Sequence, residues 1–500
     1  MLTRQRRLST FRSAQSSCPI RSVYRLAPPQ GDRAAVPPES VPTATPFHVA
    51  VPMSEGRPAM SATVSDPDTE PRPGTMRRVV TASFIGNLVE WFDYAVYGYL
   101  ATTIAVVFFP ESSTTAGLLS TFAVFAVSFV IRPIGGIFWG HFGDRVGRRT
   151  ALSLSILIMS AATFVIALLP GYAQVGVLAP ILLLVVRLVQ GFSAAGEYAG
   201  ASAFLFEYAP RNRRGTFTSV VPASTASGLL LGSVVVTALT ATLSTEDMES
   251  WGWRVPFLLA APLGLIGRYI RAKLEDTPEF RALEERESQV RAPMRETFAR
   301  NWPAILIAFG VTCLNAVGFY ILLSYMPTYL STELGVDDTA SFVSTTVALT
   351  AYIGSVFVMG RISDRFGRPA MLMTAGVLFV ALSVPVFLLL GLSGLVGVTL
   401  IQLALGIMLS MNDGTLPSYL AELFPTEVRF TGFAFSFNTA NALFGGTAPF
   451  IATFLIEVSG SQLAPSWYLA LAGAVAVVSL LAARRVVPTR KAEEPVPASR

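Results

Sequence analysis

Cysteine and histidine are nearly absent from this chain. Its 500 residues hold two of each: Cys18, Cys313, His48 and His141. Cys18 lies in a polar stretch and Cys313 in an apolar run, which argues against a disulfide framework or a thiolate metal centre. Two histidines cannot build a His-rich site. Charge is scarce as well: 14% of residues are charged, against about 25% in ordinary soluble domains. No P-loop, dinucleotide fingerprint or metal-ligand cluster stands out, so an enzyme is the least supported class and no cofactor is expected.

What fills the space is apolar. Hydrophobic residues make up 52% of the chain and the mean hydropathy is +0.54. The net charge is +5. The basic residues flank apolar runs instead of forming one patch, which fits membrane topology better than nucleic-acid binding. A bilayer core about 30 Å thick needs roughly 20 helical residues. Twelve segments meet that need, near 79–108, 115–140, 150–170, 177–206, 216–242, 253–271, 302–330, 339–360, 370–391, 394–421, 430–456 and 465–483. The expected fold is therefore an all-α membrane protein with twelve transmembrane helices in two pseudo-symmetric six-helix bundles.

The expected division is a disordered cytoplasmic tail over 1–75, a six-helix bundle over 76–271, a cytoplasmic linker over 272–301, a second six-helix bundle over 302–483, and a short tail over 484–500. The first tail is rich in Arg, Pro, Ser and Thr and has no apolar h-region; Met53, Met60 and Met76 are alternative starts. In the linker, Thr277 and Pro278 can open a short surface helix. The last stretch, RRVVPTRKAEEPVPASR, shows no heptads, which argues against a coiled coil there. The loops PESSTT, PGYAQVG, STEDMES, STELGVDD, GLSG and EVSGSQLAPS carry no Lys or Arg, whereas the alternate loops do. Both termini are thus expected on the cytoplasmic side.

One short motif occurs twice. GHFGDRVGRR holds Gly140, Asp144, Arg145, Gly147 and Arg148; GRISDRFGR holds Gly360, Asp364, Arg365, Gly367 and Arg368. The matching residues are 220 positions apart. A second echo links Glu207, Pro210 and Arg214 to Glu422, Pro425 and Arg429, 215 positions apart. Duplicated halves are a known plan for membrane carriers. Here the glycines permit tight turns between antiparallel helices. The aspartates can accept from free N–H groups at a neighbouring helix start, and the arginines can pair with Glu207 or Glu422. The expectation is a pair of gates, with topological anchoring as the alternative.

Ionisable residues inside spans cost about 2.5–3.5 kcal/mol on insertion scales, so each needs a partner or a purpose. Glu90 and Asp93 share a face of the first span, beside Trp91 and Tyr97. They can share a proton or attract an ammonium group with aromatic help; capping of the span end is the plainer reading. Arg132, Arg187 and Glu197 lie in the second and fourth spans. Arg187 is a candidate for a substrate carboxylate and Glu197, next to Tyr198, for a proton; an interhelical pair of Arg132 or Arg187 with Asp93 is the alternative. In the second half, Tyr320, Tyr325 and Asp413 are the cavity candidates, with aromatic packing as the alternative for the tyrosines. Gln402, Asn438 and Asn441 are expected to pair across helices.

GDRVGRR and SDRFGR resemble the loop signature of the major facilitator superfamily. GNLVEWFDYAVYGY, FVIRPIGG, LVQGFSAAGEYAGASAFLFEYAPRNRRG, WGWRVPF and LEDTPEF are similar to its metabolite:proton symporter family. The resemblance covers about residues 79–483 and implies alternating access with a proton as coupling ion. It also implies a small zwitterionic osmolyte as cargo, with proline, glycine betaine and ectoine as candidates. An organic anion is the nearest rival, and a non-transporting membrane sensor a remote one. The expected partners are the substrate, the proton and the bilayer, with no nucleic acid and a monomeric working unit. Relatives often have Gly-Gly where this chain has Ala194 and Ala195, which changes the cavity shape.

Overall fold

The computed structural model describes residues 73–110, 114–272 and 298–486, all within one compact unit that runs from Ser65 to Arg500. The expectations for 1–72, for the linker over 273–297 and for 487–500 lie outside the described residues. In hydrocarbon a backbone must satisfy its own polar groups, and helices do so within one segment. The first span, α1, is a bent pair, Met76–Tyr99 and Ala101–Phe108, with a 67° angle between them. It is followed by α2 (Ala123–Val146), α3 (Arg148–Leu168), α4 (Leu178–Tyr208) and α5 (Arg211–Thr242). The shorter apolar helix Arg254–Ile266 is α6. The second set is α7 (Trp302–Thr332), α8 (Val343–Phe366), α9 (Arg368–Leu392), α10 (Leu395–Leu423), α11 (Thr426–Ser459) and α12 (Ala464–Arg485). Among the described residues, ten of these are long and apolar enough to cross a membrane, the bent pair makes an eleventh and α6 fills the remaining position.

Packing repeats between the two sets. Helix α1 packs on α5 as α7 packs on α11, and α3 packs on α6 as α9 packs on α12. Across the sets, α2 packs on α11 and α5 on α8, which is the same pairing seen from the other half. Large apolar side chains such as Leu392, Phe450 and Val478 face outward, as lipid contact requires. The helix α7 is the most enclosed span.

One helix break recurs at the matching place in each half. The fourth span is interrupted between Ala194 and Glu197, and the tenth between Asp413 and Leu416. Helix α7 carries a π-segment at Tyr320–Tyr325 and α11 another at Asn441–Gly445. Such segments widen a turn and re-aim side chains, and they concentrate at functional sites.

The glycines of the repeated motif divide by role. Gly147 (φ 106°) and Gly367 (φ 91°) are the single-residue links between α2 and α3 and between α8 and α9. That region disfavours any L side chain. Gly140 and Gly360 do not make turns, contrary to the sequence expectation. They sit inside α2 and α8, where a Cβ would lie 2.5 Å from Thr431 Cα and 2.7 Å from Gly215 O, respectively. They let the halves touch backbone to backbone.

Gly191 has a comparable role within one half, since its Cβ would meet Ser128 O at 2.2 Å. Overpacking of this kind costs about 1–3 kcal/mol. Gly191→Val is expected to lower the thermal midpoint of the purified protein in detergent. Gly354→Ala, which faces open space, should not. Equal midpoints for the two variants would show that the α2–α4 crossing does not need a glycine.

Candidate functional site

Near the middle of the first half, α1 presents two carboxylates to two guanidinium groups on other helices. Arg132 Nη2 donates to Glu90 Oε1 at 2.9 Å, and Arg187 Nη1 donates to Asp93 Oδ2 at 3.1 Å. All four side chains are buried. Gln190 ties the second pair together: its Oε1 accepts from Arg187 Nη1, and its Nε2 donates to Asp93 Oδ2 and, at 2.6 Å, to Thr163 Oγ1. Aromatic faces cover the cations. Arg187 lies 3.6 Å from the Tyr97 ring centre, and Arg132 lies 4.5 Å from Tyr94 and 4.6 Å from Phe129. A buried pair survives when geometry and extra hydrogen bonds offset its desolvation. Protonating either carboxylate would neutralise it and leave its guanidinium buried without that counter-charge.

The second half holds its carboxylate differently. Asp413, at the break in α10, is fully buried. Its Oδ1 accepts from Asn315 Nδ2 (2.8 Å) and Asn412 Nδ2 (2.9 Å), and its Oδ2 accepts from Tyr352 OH (2.6 Å). Among the described residues, its hydrogen-bond donors are all neutral.

A small pocket lies between the halves. The first half supplies Trp91, Tyr198, Pro222 and Thr225 to its wall. The second half supplies Asn315, Phe319, Tyr352, Phe437 and Asn441. Among the described residues, no charged side chain lines it. In this conformation it has room for little more than a water-sized sphere. Tyr198 and Phe437 stack in parallel across the boundary, with ring centres 4.2 Å apart, and Trp91 meets Phe319 edge-on at 5.2 Å. The buried Trp91 Nε1 and Tyr198 OH make no hydrogen bond among the described residues. Asn438 Nδ2 donates to Ala195 O, 2.8 Å away at the break in α4, so the two halves are also joined just beside the pocket.

At the end bearing the repeated loops, the halves are latched twice by the same device. Asp144 accepts from Phe430 N (3.2 Å), Thr431 N (2.8 Å) and Thr431 Oγ1 (2.7 Å) at the start of α11. Asp364 accepts from Gly215 N (2.6 Å), Thr216 N (2.7 Å) and Thr216 Oγ1 (2.7 Å) near the start of α5. Each aspartate thereby satisfies orphan N–H groups at a helix N-terminus of the other half, where a negative charge is also favoured. Arg148 pairs with Asp144 (2.6 Å) and Glu207 (3.2 Å) and donates to Thr426 O across the boundary; Arg429 joins Glu207 at 2.8 Å. In the mirrored set, Arg368 pairs with Asp364 (3.1 Å) and Glu422 (2.9 Å). Arg214 lies over the Phe206 ring at 4.0 Å.

The expected site residues thus fall into three places. Glu90, Asp93, Arg132, Arg187 and Tyr97 form the paired network; Trp91 and Tyr198 line the pocket; Asp413 sits behind its wall. Glu197 is buried at the α4 break. Tyr320 packs on Trp91 and Phe129 instead of lining the pocket. Tyr325 does not line this pocket; its OH bonds Thr453 Oγ1 at 2.9 Å, within the second half. Arg145 and Arg365 are exposed and make none of the latch ion pairs among the described residues, since one step along a helix turns a side chain by about 100° from its neighbour. Gln402 pairs across helices with Ser344 and Thr345, and Asn438 across the halves, as read from the sequence. Asn441 instead donates to Phe437 O in its own helix.

Sequence reasoning passed over Gln190, Thr163, Tyr352, Thr216 and Thr431. The two threonines were within reach, since they extend the second echo by two residues at the same 215-residue spacing. The others carry no local signal, being ordinary polar residues in apolar helices.

Two helical sets related by a repeated packing scheme, with a pocket at their boundary and latches at one end, define a multi-pass membrane transporter. The chain belongs to the Major Facilitator Superfamily, whose sequence profile matches residues 83–447 and 310–500. It is 39% identical over 422 residues to the glycine betaine/proline/ectoine/pipecolic acid transporter OusA of Dickeya dadantii, covering 82% of each chain. It is 38% identical to the proline/betaine transporter of Salmonella typhimurium, covering 82% of this chain and 83% of that one. Among solved structures, the proton:xylose symporter XylE bound to 6-bromo-6-deoxy-D-glucose superposes with a TM-score of 0.70 at 17% identity. That match covers 83% of this chain and 96% of XylE and speaks for the fold.

Proposed function

We propose that this protein takes up a small zwitterionic osmolyte, such as glycine betaine, proline or ectoine, by alternating access coupled to a proton. The observation that carries this reading is the pocket between the halves. Among the described residues its wall is aromatic and amide-rich, without Lys or Arg, while two carboxylate–guanidinium pairs stand beside it. A net-neutral ligand needs no uncompensated charge in the wall. An organic anion would need an available cation there, and Arg132 and Arg187 are both engaged with carboxylates. The names of the relatives point the same way.

In this reading the latched end is cytoplasmic, because its loops carry the Arg residues and the opposite loops carry none. The closed latches keep the pocket from opening inward. A proton arriving at Asp93 would release Arg187 and Gln190 from that carboxylate. Glu90, through Arg132, and Glu197 at the α4 break are the other acceptors in reach of the same helices. Coupling requires that substrate binding and protonation each favour the other. The protein acts as a single chain in the cytoplasmic membrane.

The test is uptake of labelled glycine betaine and proline into liposomes holding the purified protein. An inside-alkaline pH gradient is expected to drive accumulation, and a protonophore to abolish it. Accumulation indifferent to the gradient would exclude proton symport. Uptake of dicarboxylates alone would exclude the zwitterion.

A further inference from the structure

We infer that the pocket between the halves is built for a quaternary ammonium carboxylate, with the methylated ammonium held by aromatic faces and the carboxylate by Trp91 Nε1 and Tyr198 OH. This rests on the zwitterion reading above and narrows it to a subsite and a chemical preference. Two features carry it. First, the wall combines Trp91, Phe319, Tyr352 and Phe437 with two buried donors that have no partner among the described residues. A buried donor left unmade is costly, and a carboxylate would satisfy both. Second, the wall offers a cation π-faces in place of an open carboxylate. Asp413 spends Oδ1 on Asn315 and Asn412 and Oδ2 on Tyr352. Two of those three donors, Asn315 and Tyr352, stand between it and the pocket.

That arrangement separates two kinds of ammonium. One that bears N–H groups loses hydrogen bonds to water and must find acceptors. A trimethylated one has none to replace and gains most from desolvated aromatic faces. The Tyr198–Phe437 stack matters here because each half supplies one ring. A ligand that parts the halves must separate these rings, and a methylated cation keeps contact with both faces. Arg187, the sequence-based candidate for the carboxylate, does not line the pocket. Its place is with Asp93 and Gln190.

The experiment compares kcat/KM for labelled glycine betaine and proline in liposomes. Phe437→Leu is expected to lower the betaine-over-proline ratio by about tenfold or more, whereas Phe437→Tyr should keep it. Tyr198→Phe should raise KM for both substrates by about the same factor, near tenfold, since both carry the carboxylate. If Phe437→Leu fails to reach the membrane, Phe319→Leu carries the same expectation. An unchanged ratio in an active Phe437→Leu or Phe319→Leu protein overturns the aromatic subsite and leaves zwitterion transport standing. A wild-type protein that takes up neither substrate overturns the reading beneath it.

Discussion

Asp93→Asn is expected to abolish proton-driven accumulation while leaving substrate exchange across the membrane measurable. The carboxylate is buried between Arg187 and Gln190, and both donate to the same oxygen. Neutralising it leaves a guanidinium under the Tyr97 ring with Gln190 as its polar contact. Breaking one side of a buried pair costs about 3–5 kcal/mol, which corresponds to more than two powers of ten in an equilibrium. The cost falls on the conformation in which the pair is closed. Coupling should therefore fail before binding does, because Asp93 does not line the pocket. Exchange of labelled for unlabelled substrate, without a gradient, reports binding; accumulation under an imposed gradient reports coupling. Asp93→Asn combined with Arg187→Gln removes the stranded charge and should recover protein yield without recovering accumulation. An Asp93→Asn protein that accumulates substrate like the wild type would remove Asp93 from the coupling mechanism.

The second large effect concerns the latches. Asp144→Ala is expected to shift the population away from the latched state by at least about tenfold, since it deletes three hydrogen bonds to a charged acceptor, each worth about 1.5–3 kcal/mol. Asp364→Ala removes the mirrored set, and its effect should be smaller. The reason is burial. Around Asp144 the side chains of Arg148 and Glu207 are 0% exposed, whereas Arg368 is 15% and Glu422 35% exposed. Water can replace the second set more readily than the first. Spin labels at Arg145 and Arg365, after replacement of Cys18 and Cys313, would report the separation of the two loops. A longer mean distance is expected in Asp144→Ala than in Asp364→Ala, and in both a longer one than in the wild type. Unchanged distances in Asp144→Ala would mean that the cap on α11 does not hold the halves together.

Much of the architecture was legible from pattern alone. Length sets the spans, because a helix must cover the hydrocarbon thickness. The duplication was readable because the two halves bury the same contacts. Asp144 and Asp364 each need a helix start, and Arg148 and Arg368 each need a glutamate, so residue types and spacings recur together. The acid–base inventory inside the membrane was also legible. Charges in an apolar run are conspicuous, and Glu90, Asp93, Arg132, Arg187 and Glu197 could be singled out on that ground.

The partners of those residues were not legible. A run of apolar helix does not state which neighbour it will face, so Arg187 could be read as a substrate ligand or as the partner of Asp93. Tertiary structure decided for the pair, and it added Gln190 and Thr163, whose amide and hydroxyl attract no notice in sequence. It also set the Tyr325 hydroxyl against Thr453 and left Arg145 and Arg365 exposed. Helix rotation determines which side of a span meets the other half, and that rotation is set by packing against several helices at once. By itself the sequence determined that this chain crosses a membrane many times, in two related halves with paired acidic and basic loops, because these follow from hydrophobic length and local spacing. Only the folded protein decided that Asp144 and Asp364 reach across to cap each other's halves. It alone brought Trp91, Tyr198, Tyr352 and Phe437 around one pocket, because contacts between residues hundreds of positions apart depend on how helices pack and leave no trace in local pattern.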